Sequence, residues 1–483
     1  MRASTILLPL AVVVAGAVAL AVWLSRPPAR SETLRLPSVD VPMVTTSGPA
    51  AGNSLVGRLT PGPGKPADSS GSWPCFRGPQ LDGVSRDPVP LARQWSAQGP
   101  RKMWQVDLGE GYAGAAIHKG RVYVLDYIPP RDENSNKESP GTAVPGSAAP
   151  EFGDALRCLS LDDGREIWRY VYPVVVQTNH GISRTIPAVN DHYVVSLGPK
   201  CHVTCLDAMT GQLAWAIDLH KQFGSTVPQW YAGQCPIIDG DRVILAPAGS
   251  DVLMMAVDLV TGRVLWRTPN PMKWKMTHVS VVPMEVGGQR MFVYCGSGGM
   301  AGVATDDGRI LWQTTEWKIA VATVPTPVIL PDGRLLVTGD YNAGSMMFQV
   351  TKSGDKFAVR RLWKLPPQQF ASRQQTPIFH EGYLYAIRPD GLLACLHPDG
   401  RVVWTSGTDT FGLGPVLIAQ GLIFALNDDG TMVLAEASPA GYRPLARAKV
   451  LPGGECWGPL SLADGRLIAR DIRRMVCLDM RNP

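Results

Sequence analysis

The sequence predicts an all-β chain: an eight-bladed β-propeller of four-stranded blades, closed by an N-terminal strand and preceded by an N-terminal membrane helix. Three observations carry the propeller. A Gly-x-x-x-Trp spacing recurs along the chain, and a Pro or Ala opens each of eight successive units. Gly 50 and Pro 42 stand beside only 18% charged residues, which describes a turn-rich protein rather than a helical or disordered one. The hydrophobic content of 45% supplies a sizeable core, and the net charge of +5 is small for 483 residues. Basic residues are scattered, as in Arg101-Lys102 and Arg473-Arg474, so no nucleic-acid surface is expected.

Residues 1–25 read as a membrane anchor. Ile6 to Leu24 is apolar apart from Pro9 and Gly16, close to the roughly 20 residues that span a bilayer core as a helix. A long signal peptide is the alternative, because small residues at Ala15, Ala17, Ala19 and Ala21 offer a cleavage site. No cysteine follows the apolar run before Cys75, which argues against a lipid anchor. Residues 26–72 are rich in Pro, Gly, Ser and Thr, and read as a disordered linker with a reach of about 35–40 Å. The propeller is expected over 73–483.

The first repeat column is Gly164…Trp168, Gly211…Trp215, Gly262…Trp266, Gly308…Trp312 and Gly400…Trp404, with Trp363 in a looser copy. A unit such as 205–215 reads as a strand, a tight turn with Gly in the left-handed region, and a strand ending in Trp. The Trp residues are expected to pack between blades rather than to hold a ligand. The second column is Ala115, Pro187, Pro236, Pro283, Pro327, Pro377, Pro415 and Pro459. Most spacings fall near the roughly 40–50 residues of a four-stranded blade; the first is longer because a Pro/Ser/Gly-rich insertion occupies about 128–154. After Pro459 the chain supplies strands near Leu467–Ala469 and Met475–Leu478 but no Trp-bearing outer strand. The strand around Trp104 is expected to fill that place and remove the open edge.

Trp73-Pro74-Cys75-Phe76-Arg77-Gly78-Pro79, followed by Asp82-Gly83-Val84-Ser85, resembles the WPxFRGP…DGVS opening of a bacterial family of exported propellers built from pyrroloquinoline-quinone (PQQ) type repeats. The Asp-x-x-Thr-Gly-x-x-x-Trp units at 207–215 and 258–266 resemble the repeat shared by quinoprotein dehydrogenases and by BamB, the propeller of the outer-membrane β-barrel assembly machine. The resemblance covers about residues 73–483. It implies the fold strongly and the function weakly, because function belongs to a site grafted on the fold.

The motifs that carry chemistry are mostly wanting. Cys158, Cys205, Cys395 and Cys477 precede Leu at equivalent repeat positions and read as small buried residues. There is no Cys-x-x-Cys, no haem-attachment motif and no adjacent cysteine pair; one disulfide elsewhere stays open as an alternative. Gly109-Glu110-Gly111-Tyr112-Ala113-Gly114 matches a dinucleotide fingerprint, but the next segment reads as a strand where a helix is required. The resemblance to quinoproteins implies PQQ with calcium, yet no segment assigns Glu, Asn and Asp to a calcium ion, so no cofactor or metal is assigned from the residues.

The remaining candidate is a central funnel. Loops joining one blade's outer strand to the next blade's inner strand carry His180, Trp230, Tyr231, Trp274, Lys275, His278, Lys318, Arg373 and Trp457. Such a mixture suits an anionic or sugar-like ligand, or a peptide; simple closure of the channel is the bland alternative. Two functions are carried forward. One is a non-catalytic binding or scaffold propeller with envelope proteins or peptides as partners, anchored in the inner membrane with the propeller in the periplasm or at the cell surface. The other is a PQQ-dependent dehydrogenase oxidising alcohols or sugars, with Trp274 or Trp457 as stacking surface and His180 or His278 as polar partner.

Overall fold

The computed structural model describes residue 16 and residues 55–96, 98–130, 152–177 and 181–482. Apart from Gly16, the expected membrane span lies outside the described residues. Among the described residues no helix is long and apolar enough to cross a membrane.

Eight sheets follow one another around a ring, and each contains the four antiparallel strands of a blade. Blade one runs Ala115–His118, Arg121–Ile128, Gly153–Ser160 and Glu166–Tyr172 from its innermost strand outwards. Blade eight is composite. Ser461–Ala463, Arg466–Arg470 and Arg474–Asp479 come from the end of the chain, and Arg101–Asp107 supplies the outer strand. Cys477 stands opposite Trp104 in that register, as the missing Trp strand required.

The repeat has a local cause. Asp207 Oδ1 accepts the backbone N–H of Met209 at 2.9 Å and of Thr210 at 2.7 Å, plus the Thr210 hydroxyl at 2.9 Å. That carboxylate holds the turn while Gly211 takes φ 76°, open to glycine without strain. Asp258 and Thr261 repeat the device one blade on. The outer strand then places a Trp directly opposite a small residue: Cys158 faces Trp168, Cys205 faces Trp215, Cys395 faces Trp404, and Ala256 and Gly302 face Trp266 and Trp312. The indole lies over its small neighbour and against the next blade. Trp104, Trp215, Trp363 and Trp404 each donate Nε1–H to a carbonyl of the following blade at 2.8–2.9 Å, on Leu161, Leu259, Pro398 and Ser438. All nine cysteines are free thiols, eight of them buried.

Of the expected linker 26–72, residues 26–54 lie outside the described residues, and part of the remainder is ordered. Arg58–Pro61 is a strand, paired antiparallel to the outer strand of blade one, with Arg58 opposite Val171 and Pro61 opposite Trp168. The prolines exclude a helix, but an edge strand tolerates a residue without an N–H. Gly62 and Gly64 continue the attachment through bonds to Ile167 O and Glu166 O, both 2.8 Å.

Residues 73–85 fill the centre of the ring. Trp73 pairs with Ile117 of blade one, and Pro74 O accepts Val189 N–H of blade two. Phe76, Arg77 and Leu81 line a small cavity with Cys235–Ile237 of blade three and Ser280–Val282 of blade four. Arg77 donates to Thr376 O and Pro377 O ahead of blade six, both 3.0 Å, and to Leu81 O and Asp82 O of its own turn. Val84–Ser85 runs parallel to Val416–Ala419 of blade seven, and Asp87 accepts Asp464 N–H of blade eight. The segment enters beside the inner hairpins at His118, Ala419 and Asp464, so it plugs that end of the channel, and the loops expected to form a funnel lie at the other end.

Candidate functional site

At the end of the channel away from the plug, the connecting loops bring together groups from neighbouring blades. Tyr112, ahead of blade one, stacks on Trp457, ahead of blade eight, with ring centroids 5.0 Å apart and planes at 24°. The Tyr112 hydroxyl donates to Glu455 Oε2 at 2.6 Å, and Trp457 Nε1–H donates to Asp428 Oδ1 at 2.8 Å. Gln375 Nε2 reaches Trp457 O at 3.0 Å and Leu413 O at 3.1 Å. The Arg184 guanidinium caps the other side of Tyr112, 5.0 Å from the ring centroid.

Arg184 is the unusual charge. Its Nε and Nη2, which together form the side-on edge that suits a carboxylate, are sealed from solvent without a hydrogen-bond partner among the described residues. Burial pulls the guanidinium down to about 10, opposed by Tyr112, Tyr231 and Glu455. It remains protonated at neutral pH, and its charge acts on His278. Burial first, and Arg184 second, push the His278 imidazole down to about 3, so this ring is neutral. Its backbone N–H is held by Thr323 O at 3.1 Å, and a β-carbon on Gly233 would lie 2.8 Å from its Nδ1.

The residues expected from the sequence are divided by the structure. Trp457, His278 and Tyr231 belong to the cluster around Arg184; Tyr231 donates its hydroxyl to Gln177 O at 2.7 Å and receives Lys200 over its ring. Arg373 is at the funnel wall in an ion pair with Asp340 at 2.7 Å. Trp230 is half-buried beside Tyr231, with φ 63°. Lys275 and Lys318 are exposed, and His180 lies outside the described residues. Trp274 is not a stacking surface: it is 4% exposed, its ring packed where β-carbons on Gly296, Gly298 and Gly299 would stand. Those glycines are the reason, since they leave room for an indole over their backbone.

Tyr112, Arg184 and Asp428 were not picked out from the sequence. Tyr112 sat in the rejected dinucleotide fingerprint. Arg184 carried a usable signal, since it stands three residues before Pro187 in a loop already expected to face the funnel.

The arrangement does not fit a quinone with calcium. One face of Trp457 is taken by Tyr112, Trp274 is enclosed, and among the described residues no group of three or more His, Cys, Asp or Glu side chains is placed to hold a metal ion. No catalytic step is therefore derived through that pair.

Residues 153–372 match the family described as outer membrane protein assembly factor BamB. The WPxFRGP-like opening precedes that span. A curated relative, outer membrane protein assembly factor BamB of Moranella endobia (strain PCIT), is 21% identical over 292 residues, 56% of this chain and 69% of that protein. Among solved structures, BamB from Moraxella catarrhalis superposes with a TM-score of 0.51 at 14% identity, covering 78% of this chain and 99% of that one. A europium-containing methanol dehydrogenase aligns at a TM-score of 0.45 and 12% identity, over 85% of this chain and 89% of that one. The chain is thus similar to BamB in its repeats, and the solved structure of BamB shares its fold.

Proposed function

We propose that this chain is an exported, membrane-tethered propeller that acts as a non-catalytic binding or scaffold module in envelope protein assembly. Residues 1–25 serve as the anchor, in the inner membrane, and the propeller works in the periplasm or at the cell surface. The observation that carries the reading is the self-satisfied funnel: Tyr112, Trp457, Glu455 and Asp428 spend their stacking faces and hydrogen bonds on one another above a plugged channel. The BamB-like repeats support the same direction.

Crosslinking of the full chain in its membranes tests the reading. Recovery of defined envelope proteins, repeated with the purified partner, supports it; a chain that crosslinks to none overturns it. A C-terminal reporter active only in the cytoplasm would reverse the proposed topology.

The second reading, a PQQ-dependent dehydrogenase of alcohols or sugars, has one observation in its favour against the poor fit of the site to a quinone with calcium. The unpaired edge of Arg184 is suited to an anionic ligand in the funnel. Incubation with PQQ and Ca²⁺, desalting and dye reduction separate the two: stoichiometric retention with turnover would replace the scaffold by an enzyme.

A further inference from the structure

Blade five ends in the longest outer strand of the ring; Val402–Thr410 of blade six has nine residues and is likewise uncovered, and the outer strands of the other blades are shorter or already covered. The outer hairpin of blade five consists of Gly344–Ser353 and Lys356–Leu365, ten residues each. Lys356–Leu365 is the last strand of its sheet, hydrogen-bonded on one side only. For comparison, Leu213–Asp218 has six residues and Ile310–Thr314 five, while Glu166–Tyr172 is covered by Arg58–Pro61. An unpaired edge of this length is a template for another strand unless its side chains forbid it.

The side chains here select rather than forbid. The hairpin carries Lys352, Lys356, Arg360, Arg361 and Lys364 against the single acid Asp355. Arg361 is paired with Glu316 of blade four at 2.8 Å, and Lys352 Nζ–H donates to Gly287 O at 3.1 Å. Lys356, Arg360 and Lys364 have no acidic partner among the described residues, and all three are exposed. Lys356 and Arg360, opposite Ser353 and Gln349, share one face about 13 Å apart along the strand, and the register shift between Met347 and Phe348 puts Lys364, opposite Met346, on the other face. Between them Ala358 and Leu362 are exposed too, Leu362 by 39%. A second copy of this edge, or any basic segment, meets like charge; an acidic segment with apolar residues between its acids meets complementary charge and an apolar strip.

The ring already shows that its outer edges accept an added strand. Arg58–Pro61 joins blade one antiparallel and in register, with Leu59 opposite Tyr170 and Thr60 opposite Arg169. From the same geometry at a free edge, and resting on the scaffold reading above, we infer that Lys356–Leu365 of blade five docks an extended acidic segment of an envelope polypeptide by strand addition. Main-chain hydrogen bonds supply the pairing, and Lys356, Arg360 and Lys364 choose the sequence.

The test uses the full chain in detergent and a labelled peptide of roughly eight residues, alternating Glu and Val. Three comparators are a Lys–Val peptide, the Glu–Val peptide with alternate amides N-methylated, and the variant Arg360→Glu/Lys364→Glu with an unchanged melting temperature. The Glu–Val peptide binds, more weakly as salt rises. Binding falls by about tenfold or more in the variant, a change of about 1.4 kcal/mol, and it is lost on N-methylation. Undiminished binding of the N-methylated peptide means charge attraction without strand pairing and overturns the inference. Equal binding of the Lys–Val peptide, undiminished binding to the variant, or no binding of the Glu–Val peptide overturns it as well. If the wild-type chain and the variant crosslink equally to the same envelope proteins, the scaffold reading stands and this docking edge falls. If neither crosslinks to any, the scaffold reading falls, and the peptide comparison still decides the edge.

Discussion

Gly211 lies directly beneath the indole of Trp168: a β-carbon built on it would stand 2.6 Å from Trp168 Cδ2. The same relation joins Gly164 to Trp104, Gly262 to Trp215 and Gly308 to Trp266, always a glycine of one blade under the Trp of the blade before it. The glycine therefore meets two demands at once, a left-handed turn and a seat for the neighbouring ring.

The two demands are separable by mutation. Gly211→Ala combines backbone strain of about 1 kcal/mol with an overpacking cost of about 1–3 kcal/mol. Gly240 has φ 63° and nothing within 4 Å of an added β-carbon, so Gly240→Ala carries the backbone cost alone. Urea unfolding is expected to place Gly211→Ala at least about 1 kcal/mol below Gly240→Ala. Equal losses would mean that Trp168 moves aside freely.

Trp215 and Trp168 occupy equivalent places with different hydrogen bonding. Trp215 Nε1–H donates to Leu259 O at 2.8 Å, whereas Trp168 Nε1 is buried without a partner among the described residues. Replacement by Phe removes a satisfied bond in one case and an unsatisfied donor in the other. Trp215→Phe is expected to cost about 1 kcal/mol more than Trp168→Phe, read from denaturation midpoints at equal slope.

Asp154 gives the stability a pH dependence of defined sign. Burial pushes its carboxyl up to about 7, against a hydrogen bond from the Tyr172 hydroxyl at 2.7 Å and with help from Asp126. The unfolded carboxyl titrates near about 3.9. Between about pH 4 and pH 7 this carboxyl holds more proton in the folded chain than in the unfolded one, so its own contribution to the unfolding free energy falls as pH rises; His278, pushed down to about 3 in the fold, contributes in the opposite sense below about pH 6.5. Asp154→Asn, which still accepts from Tyr172, is expected to gain progressively on wild type as pH rises through this window to about pH 8. A difference between variant and wild type that stays constant from about pH 4 to about pH 8 would refute the assignment.

Arg77 is the pin of the central plug. Arg77→Met leaves the carbonyls of Leu81, Asp82, Thr376 and Pro377 without their donor, a loss of about 2 kcal/mol or more. Hydrogen exchange is expected to quicken first in residues 73–85 and at Ile418, whose N–H bonds Gly83 O, while the mid-blade strands keep their protection. Uniform quickening across all blades would mean that the plug and the ring open as one unit.

The ring was legible because its signals are local. Gly and Trp four residues apart, and Met475–Leu478 lacking an outer neighbour, both lie within short windows, so closure by the Trp104 strand followed by subtraction. The plug was not legible, because Trp73, Arg77 and Val84 find partners 44, 299 and 334 residues away. Arg58–Pro61 was misread for the reason that its prolines speak against helices but are silent on edge strands. Of the two tryptophans expected as stacking surfaces, Trp457 stacks on Tyr112, while Trp274 misled: an aromatic in a connecting loop looks available until the backbone of Gly296, Gly298 and Gly299 is seen to enclose it. Arg184 has no period to betray it, and its character comes from its surroundings.

The composite eighth blade also fixes a sequence of events in time. Met103 and Cys477, in contact at the seam, are 374 residues apart along the chain. A polypeptide synthesised from its N-terminus can pack blades one to seven while Arg101–Asp107 still waits for Arg474–Asp479, and contacts of such separation form late and slowly. Until then two blade faces stay unpaired, and the ready mate for either is the complementary face of a second unfinished chain. Truncation before residue 474 should therefore yield strand-exchanged oligomers rather than a smaller ring.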